Sequence, residues 1–319
     1  MSRKRSRTHR SAAFFALGTL LWISAPGLAF AQEPRQTPPA PGNSPPPAPS
    51  TPEMQRPFEG LYTAWRDAMT NADLEAWKKV TATSRRIETR NRIVSQKLKY
   101  PESLFIGPVQ APPLTGLTHV GTLVRGDAGT SVYFGRADFG VSDPSEVTEN
   151  FVVFRFLRDG GLWKFDNLRV VKFGDDPELL LKVRNGDLTF LEAPEFQPPA
   201  EIPPMPFEVS APDYVAEVWI TAVGYEATVK INNTHASTVA NDSGPDLVVG
   251  GLKTNGNRIE ISTKRIPVDA ATPRHLEVGI YAAGSASGEA KRVYHYRSSA
   301  EAAPPEKMEA QFAVEGVPK

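Results

Sequence analysis

The chain has 319 residues, with 36 Lys and Arg, 36 Asp and Glu, 30 Pro and no Cys. The absence of cysteine excludes disulfides, thiolate zinc sites, cysteine nucleophiles and lipid attachment at a cysteine. An apolar content of 40% suits folded cores rather than global disorder, and the length is typical of about two domains. The balanced charge disfavours a strongly basic nucleic-acid binder, so we expect no nucleic-acid partner.

The first 31 residues have the pattern of a cleaved secretory signal. Five basic residues begin it, an apolar run covers residues 12–23, and small residues end it at Ala31. The apolar run is shorter than the ~20 residues that cross a bilayer, so cleavage after Ala31 is favoured over a membrane anchor. Cleavage removes the five basic residues and no acidic one, which leaves 31 basic against 36 acidic side chains. We therefore expect an exported bacterial protein, periplasmic or extracellular, that is stabilised by packing alone.

Two proline-rich segments divide the chain. The first, residues 32–56, has few apolar side chains and is predicted to be a disordered linker. The second covers residues 194–206, and a flexible tail is predicted over 299–319. These segments leave 57–193 and 207–298 as candidate domains.

Residues 57–193 begin with three predicted helices. Apolar side chains at helical spacing define the first helix, and they are Leu61, Trp65, Ala68 and Met69. Asp73 is a candidate N-cap of the second helix, and Thr83 or Ser84 is a candidate N-cap of the third. Tyr100 ends the helical region, because the residue before a proline avoids the helical conformation.

Strand patterns follow the helices. They cover residues 117–125, 131–139, 150–158 and 162–173. The run Asp159-Gly160-Gly161 predicts a hairpin turn between the last two strands. A short helix is predicted from Pro177 to just before Gly186. This order predicts an α+β domain in which helices pack on an antiparallel sheet.

Two stretches resemble the SnoaL-like, nuclear-transport-factor-like family, which has the cystatin-like cone fold. Residues 65–77, from Trp65 through Asn71-Ala72-Asp73 to Trp77, look like the family's helix–Asp–helix opening. Residues 151–165, with Asp159-Gly160-Gly161-Leu162-Trp163-Lys164, look like its terminal hairpin. The resemblance covers about residues 57–175. It implies helices packed over a curved antiparallel sheet, with a pocket between them.

The same resemblance directs attention to ionisable side chains inside the cone. Some members bind or isomerise small apolar molecules there with an Asp or His pair, and others only mediate association. The candidates in this chain are His119, Asp138, Tyr62 and Arg90. No family motif surrounds any of them, so a structural role is the favoured interpretation for each. The resemblance also implies that two copies can pair through the cone sheet as a homodimer.

The predicted helices carry a run of basic side chains. Residues 78–99 hold eight basic residues and one acid, a stripe that would attract an anionic membrane or glycan surface. The candidates for this contact are Lys78, Lys79, Arg85, Arg86, Arg90 and Arg92. A solvated face is the favoured alternative, because residues 57–193 hold 18 basic and 18 acidic residues. Aromatic side chains that could stack on bases are not interleaved with the run.

Residues 207–298 are predicted to be all-β. Seven short strands are predicted over 207–209, 215–223, 227–232, 247–249, 257–263, 275–282 and 291–297. Apolar and polar residues alternate along them, as in Val218-Trp219-Ile220, and Gly and Asn turns separate them. The pattern predicts an antiparallel sandwich of two sheets.

Part of this region resembles the jelly-roll β-sandwich accessory domains of secreted glycan-acting proteins. The resemblance rests on Val229-Lys230-Ile231-Asn232-Asn233, followed by Gly250-Gly251-Leu252-Lys253-Thr254-Asn255-Gly256-Asn257-Arg258-Ile259-Glu260-Ile261. It implies a glycan partner that stacks on exposed aromatic rings. The candidates are Trp219, Tyr225, Tyr294 and Tyr296, although core packing is the favoured role for each.

No phosphate-binding glycine loop, nucleophile elbow or His-x-x-x-His zinc motif occurs in the sequence, and we expect no cofactor and no metal. Oxygen ligands group at 241–246 as in a Ca²⁺ loop, but a plain loop is the favoured interpretation. We expect a non-enzymatic binding protein of the cell envelope with a protein or glycan partner. The alternatives are a cone-domain enzyme or small-molecule carrier with a pocket near His119 and Asp138, and a structural assembly protein.

Overall fold

The computed structural model describes residues 46–106, 111–139, 148–172, 177–269, 271–299 and 302–318. These residues form two antiparallel sheets, one of four strands and one of six. The predicted signal at 1–31, its cleavage site at Ala31 and residues 32–45 of the first linker lie outside the described residues. Within the described ranges, no helix has the length and apolar character needed to cross a membrane.

Three helices precede the first sheet: α1 Gln55–Thr70, α2 Leu74–Val80 and α3 Thr83–Ser95. The predicted N-cap of α2 is confirmed, because the Asp73 carboxylate accepts a hydrogen bond from the Ala76 N–H at 3.0 Å. The predicted cap of α3 by Thr83 or Ser84 is wrong. A carboxylate from the distant hairpin replaces it, since Asp159 Oδ2 accepts from the Thr83 N–H at 2.8 Å.

The four-stranded sheet is a meander of β1 Thr118–Arg125, β2 Ala128–Arg136, β3 Glu149–Asp159 and β4 Leu162–Lys172. The predicted turn between β3 and β4 is confirmed. Gly160 and Gly161 have φ of 60° and 81°, which a two-residue hairpin loop of this kind requires at both positions.

A β-bulge interrupts β4 at Asp166, which the pairing with β3 skips. Phe165 and Leu168, on either side of the bulge, therefore both face the helices. The strict alternation of side chains along a strand is therefore broken at this point of β4. The bulge also directs the Asp166 carboxylate toward α3, where Oδ1 lies 3.2 Å from Arg85 Nε.

Both faces of the four-stranded sheet are covered. The helices α1 to α3 pack on one face through a largely aromatic core, which includes Phe58, Tyr62, Trp65, Trp77, Phe154, Phe156 and Phe165. The other face is covered by helix α4 Pro177–Arg184, a short 3₁₀ helix at Thr189–Glu192, and the buried side chains of Ala48 and Phe196. Parts of both predicted linkers, 32–56 and 194–206, are therefore packed against the sheet.

The side chain of Gln197 joins these covering segments. Its Oε1 accepts from the Ala48 N–H at 2.7 Å, and its Nε2 donates to the Leu191 carbonyl at 2.5 Å. Arg125 at the end of β1 donates to the same Oε1 at 3.1 Å. One buried amide thus holds together chain segments that are far apart in sequence.

The six-stranded sheet contains β5 Val215–Ile231, β6 His235–Leu247, β7 Asn257–Arg265, β8 His275–Ala283, β9 Lys291–Arg297 and β10 Lys307–Phe312. Its order is β10-β7-β5-β8-β9, and β6 also pairs with β5. The sequence predicted two separate sheets, but the described strands form one hydrogen-bonded sheet. The alternation of apolar and polar residues is confirmed, and the apolar side chains enclose an aliphatic core.

A bend in β5 explains how one sheet encloses that core. The first half of β5 pairs with β8 and the second half with β7. Gly224 has φ of 74° at the junction, and the register with β6 shifts between Ala222 and Glu226. The predicted break between strands 215–223 and 227–232 is therefore a bend within one strand.

Two strands were missed by the sequence prediction. Most of β6 contains the polar, Gly and Pro residues of a loop, including Asn241, Gly244 and Pro245. β10 lies within the predicted flexible tail and pairs with β7, and beyond it Val314 and Val317 are buried in the core. The segment predicted as a flexible tail, 299–319, therefore contains a paired strand and two buried valines.

Helix α3 connects the helical part to the strand-rich part. Asn91, which is buried, donates to the Phe207 carbonyl at 2.7 Å and accepts from the Val209 N–H at 3.0 Å. At the end of α3, Ser95 Oγ accepts from the Gly250 N–H at 2.8 Å. The polar side of α3 therefore binds backbone groups that precede β5 and follow β6.

Candidate functional site

The outer face of the six-stranded sheet presents Trp219. Its neighbours on β5, Val218 and Ile220, are buried in the core, so Trp219 points to the opposite face. Trp219 is 40% exposed to solvent. A large exposed aromatic side chain on a strand paired on both sides is a candidate binding element.

Strand pairing surrounds Trp219 with polar side chains. Directly opposed residues of antiparallel strands share a face, and the pairs Trp219–Gly279, Thr221–Glu277 and Gly279–His295 extend across β5, β8 and β9. We name the set on this surface the Trp219 face. It comprises Glu217, Trp219, His275, Glu277, Tyr281 and His295.

The indole of Trp219 is held in one orientation. Its Nε1–H donates to Glu217 Oε2 at 2.9 Å. Burial raises the pKa of the Glu217 carboxyl above its usual value, and the hydrogen bond from Trp219 only partly opposes this effect. A ring that is already fixed loses less conformational entropy when it binds a ligand.

A second aromatic ring lies next to the indole. Gly279 faces Trp219 across the β5–β8 pair, and a Cβ at Gly279 would lie 3.1 Å from Cε2 of Tyr281. The Tyr281 ring therefore covers the glycine. The Tyr281 ring thus occupies the space beside Trp219 that a side chain at residue 279 would take.

Hydrogen-bonding groups border this aromatic surface. Glu277 contacts His275 Nε2 at 3.2 Å and His295 Nε2 at 2.8 Å. The hydrogen bond from His295, with a smaller contribution from His275, holds the pKa of the Glu277 carboxyl below its usual value, although partial burial opposes this shift. Arg297 adds a positive charge at 3.9 Å from the same carboxylate. The face therefore combines aromatic rings with fixed acceptors and donors.

The other predicted stacking residues lie elsewhere. Tyr225 is buried, with the Arg274 guanidinium 5.8 Å from its ring centre. Tyr294 and Tyr296 pack against the inner core, and the Tyr294 ring is 5.5 Å from that of Phe312. Of the four aromatic candidates, only Trp219 lies on the outer face, whereas the other three pack toward the core.

His119 and Asp138 lie in different surroundings. His119 is half-buried on β1, with Nε2 2.9 Å from Thr122 Oγ1, and Asp138 is exposed just beyond the end of β2. Burial lowers the pKa of His119, and the nearby Glu59 carboxylate partly opposes this shift. The charged neighbour of His119 is therefore Glu59 of α1, which sequence reasoning missed.

Glu59 belongs to a small polar cluster where α1 meets β1 and β2. Its Oε1 accepts from Tyr133 Oη at 2.7 Å and from Gln55 Nε2 at 2.9 Å. Burial opposes its ionisation, but these hydrogen bonds outweigh it and hold the pKa of the Glu59 carboxyl below its usual value. The Tyr133 ring meets the His119 ring edge-on, with centroids 5.2 Å apart. No sequence motif marks Glu59.

Tyr62 and Arg90 make structural contacts. Tyr62 Oη donates to the Pro112 carbonyl at 2.6 Å, and burial raises the pKa of its phenol. Arg90 Nη1 donates to the Val209 carbonyl at 3.0 Å, and its Nε lies 3.4 Å from Glu208. Both side chains hold neighbouring segments in place.

Aromatic rings fill the space between the helices and the four-stranded sheet. Phe58 and Phe156 stack with centroids 4.0 Å apart, and Trp65 lies 4.5 Å from Phe165. The resemblance to the cone family implied a pocket in this layer. The dense ring contacts favour a packing role for the side chains that line it.

Much of the basic run is used within the chain. Lys78 pairs with Glu75 at 2.8 Å, and Arg85 pairs with Glu88 at 2.8 Å in addition to Asp166. Arg86 donates to Thr83 Oγ1 at 2.6 Å. Lys79 is exposed and Arg92 is half-buried. These contacts favour the solvated, internally paired face over an anion-binding stripe.

The predicted oxygen-rich loop is part of β6. Asn241 Oδ1 accepts from the Gly224 N–H at 2.6 Å and its Nδ2 donates to the Pro267 carbonyl at 3.0 Å, so this side chain stabilises the bend in β5. Across the part of the chain that the structure describes, no group of three or more His, Cys, Asp or Glu side chains is placed to hold a metal ion.

No protein-family model, curated protein or solved structure matches this chain. The candidate functional surfaces of the chain are therefore the Trp219 face and the cluster around Glu59.

Proposed function

We propose that the chain is an exported, non-enzymatic protein of the bacterial cell envelope that binds a glycan through the Trp219 face. The supporting observation is the exposed Trp219 indole, fixed by the hydrogen bond from Nε1 to Glu217 at 2.9 Å. The alternation along β5 places this ring outward, and the Tyr281 ring lies over Gly279 on the neighbouring strand.

The chemistry of the face suits a sugar ring. A pyranose has a face of C–H groups, which packs on an aromatic ring, and a rim of hydroxyls, which form hydrogen bonds. Glu217 and Glu277 supply acceptors, and His275 and His295 supply ring nitrogens within hydrogen-bond distance of Glu277. The two aromatic rings would select the ligand by shape, and the carboxylates would set its orientation.

The finer architecture belongs to the same proposal. Helices α1–α3 over the four-stranded sheet would be a cone-type unit, and the six-stranded sheet would be a separate jelly-roll-like binding unit. Export would follow from the signal pattern at residues 1–31 and cleavage after Ala31. A homodimer through the first sheet is less favoured, because the chain covers both faces of that sheet itself.

The test is binding of the mature chain, residues 32–319, to an array of neutral and acidic polysaccharides, followed by calorimetry with the glycan that binds best. Trp219→Ala should weaken binding by about thirtyfold or more, which is typical of a central aromatic contact. Glu217→Gln should weaken it less, because the amide keeps an acceptor for the indole N–H.

Phe207→Ala is the matched control, because Phe207 is also a highly exposed aromatic residue but lies outside the Trp219 face. It should leave glycan binding unchanged. The proposal fails if the folded mature chain binds no glycan on the array. It also fails if Trp219→Ala and Glu217→Gln both bind the glycan as the parent does.

A small-molecule role for the first sheet is a second candidate, supported by the Glu59–Tyr133–His119 cluster. A carboxylate with a neighbouring imidazole can accept a proton from a ligand that reaches it. A thermal-shift screen of small apolar ketones and acids against the parent and Glu59→Gln would test this. Stabilisation that the variant loses would support a carrier or enzyme, and no stabilisation of the parent would remove this candidate.

A further inference from the structure

A short apolar segment between the two sheets is exposed rather than packed. It comprises Ile202, Pro203, Pro204, Met205, Pro206 and Phe207, and we name it the 202–207 segment. Ile202, Met205 and Phe207 are all exposed, and Phe207 is 90% exposed. Phe196, a few residues earlier, is 2% exposed, so an aromatic residue in this connection can pack when a surface is provided. Contiguous exposed apolar side chains mark interaction sites.

The sequence of the segment restricts its backbone to an extended form. Proline fixes φ near −65°, and a residue before proline avoids the helical region. Residues 202 to 206 are each a proline, a residue before proline, or both. Polyproline II geometry satisfies these restrictions, and its three residues per turn would place Pro203 and Pro206 on one edge.

Contacts on both sides fix where the segment lies. Before it, Arg125 Nη1 donates to the Pro198 carbonyl at 3.1 Å. At its C-terminal end, the side-chain amide of the buried Asn91 donates to the Phe207 carbonyl at 2.7 Å and accepts from the Val209 N–H at 3.0 Å. A segment held at both ends and stiffened by prolines has little conformational entropy to lose on binding.

We propose that the 202–207 segment is a docking peptide for a partner protein with an aromatic-lined groove of the kind that binds polyproline II ligands. Strand addition is excluded as the binding mode, because Pro203, Pro204 and Pro206 have no N–H to donate to a strand edge. The ridge formed by Pro203 and Pro206 fits between aromatic rings of such a groove, and Phe207 adds an apolar anchor beside it.

The experiment titrates the full mature chain into two purified, ¹⁵N-labelled probes, an SH3 domain and a WW domain. The expected result is a saturable shift of the groove resonances of at least one probe. The double variant Pro203→Ala/Pro206→Ala should weaken that binding by about tenfold or more. Pro273→Ala, an exposed proline elsewhere in the chain, is the matched control and should bind as the parent does.

Trp219→Ala should also bind the probes normally, so loss of glycan binding and loss of docking are separate results. Near-ultraviolet circular dichroism confirms that each variant is folded. The proposal is overturned if neither probe responds, or if the double variant binds like the parent. A concentration-dependent dimer in sedimentation velocity that Phe207→Ala abolishes would overturn it in favour of a second copy as the occupant.

Discussion

The two sheets of this protein use their surfaces in opposite ways. The four-stranded sheet is covered on both faces, by α1–α3 on one side and by α4, Ala48 and Phe196 on the other. The six-stranded sheet encloses its core on one side and leaves Trp219 exposed on the other. The first sheet is therefore suited to packing, and the second has a face left for binding.

The hydrophobic cores of the two sheets also differ in the residue types that form them. Aromatic rings dominate the core against the helices, whereas Val, Ile, Leu and Ala dominate the core of the six-stranded sheet. An aromatic side chain in the first sheet therefore contributes to stability, and the exposed Trp219 of the second should contribute to binding. The predictions below test this contrast.

The largest effect is expected for Phe156→Ala. Phe156 is buried and stacks on Phe58 at 4.0 Å, so its removal leaves a cavity and should cost about 3–5 kcal/mol of unfolding free energy. Trp219→Ala should change the same quantity by only about 0.5 kcal/mol, as for other exposed positions. Urea denaturation followed by circular dichroism measures both. Equal losses for the two variants would show that the contrast is wrong.

The next effect concerns the connection between the sheets. Asn91→Ala would leave the Phe207 carbonyl and the Val209 N–H without their side-chain partner, at a cost of about 1–3 kcal/mol. Trp65, Trp77 and Trp163 report on the first sheet and Trp219 reports on the second. The Trp219→Phe variant reports on the first sheet alone, whereas the parent reports on both sheets. We expect the unfolding midpoints of these two fluorescence signals to lie further apart when Asn91→Ala is also present. Unchanged stability would rule out a coupling role for Asn91.

A smaller effect should appear as pH dependence at His235. This side chain is buried, with Nε2 3.8 Å from Asp246 Oδ2. Burial lowers the pKa of His235, Arg92 lowers it further, and Asp246 opposes both. Because the folded chain binds this proton less readily than the unfolded chain, stability is complete above the usual pKa of 6.5 and falls as the pH drops below it.

His235→Gln should flatten the stability profile between pH 7 and pH 5, and thermal unfolding across that range measures it. His119→Gln is the matched comparison, because the pKa of His119 is also lowered but its ring is only half-buried in the first sheet. We expect the larger flattening from His235→Gln. A profile that neither variant alters would contradict the assignment.

The smallest effect is expected at the surface of α3. Glu88→Ala removes an exposed carboxylate 2.8 Å from Arg85 Nη1, but Arg85 keeps its contact with Asp166. The loss should be about 0.3–0.5 kcal/mol and should shrink in high salt. Asp166→Ala should cost more, because Asp166 lies at the bulge and is less exposed. The reverse order in urea denaturation would show that the bulge contact is unimportant.

The sequence predicted most of the helices and the first four strands because local signals were strong there. Asp73 caps α2 and the Asp159-Gly160-Gly161 turn lies where predicted. The α3 cap and the bulge at Asp166 were missed because each depends on a residue distant in sequence or on strand pairing. Contacts between residues that are distant in sequence produce no periodic pattern of apolar residues from which they could be predicted.

The site was predicted only in part for a similar reason. Trp219 was one of four aromatic candidates, but the strand pattern did not separate it from Tyr294 and Tyr296, which pack toward the core. Glu277 and the two histidines that contact it were not predicted as a group, since β8 and β9 bring them together. Glu59 near His119 depends on how α1 packs on the sheet.

The bent strand β5 also sets an order for folding. Its pairing with β6 is a hairpin, with Ile231 opposite His235, and can form locally. Its pairing with β8 places Val215 opposite Ala283, so the intervening chain, which contains β6 and β7, has to form a long closed loop. Contacts between residues so distant in sequence slow folding. We therefore expect the β5–β6 hairpin to form early, and the Trp219 face, which needs β8 and β9, to be completed among the last steps.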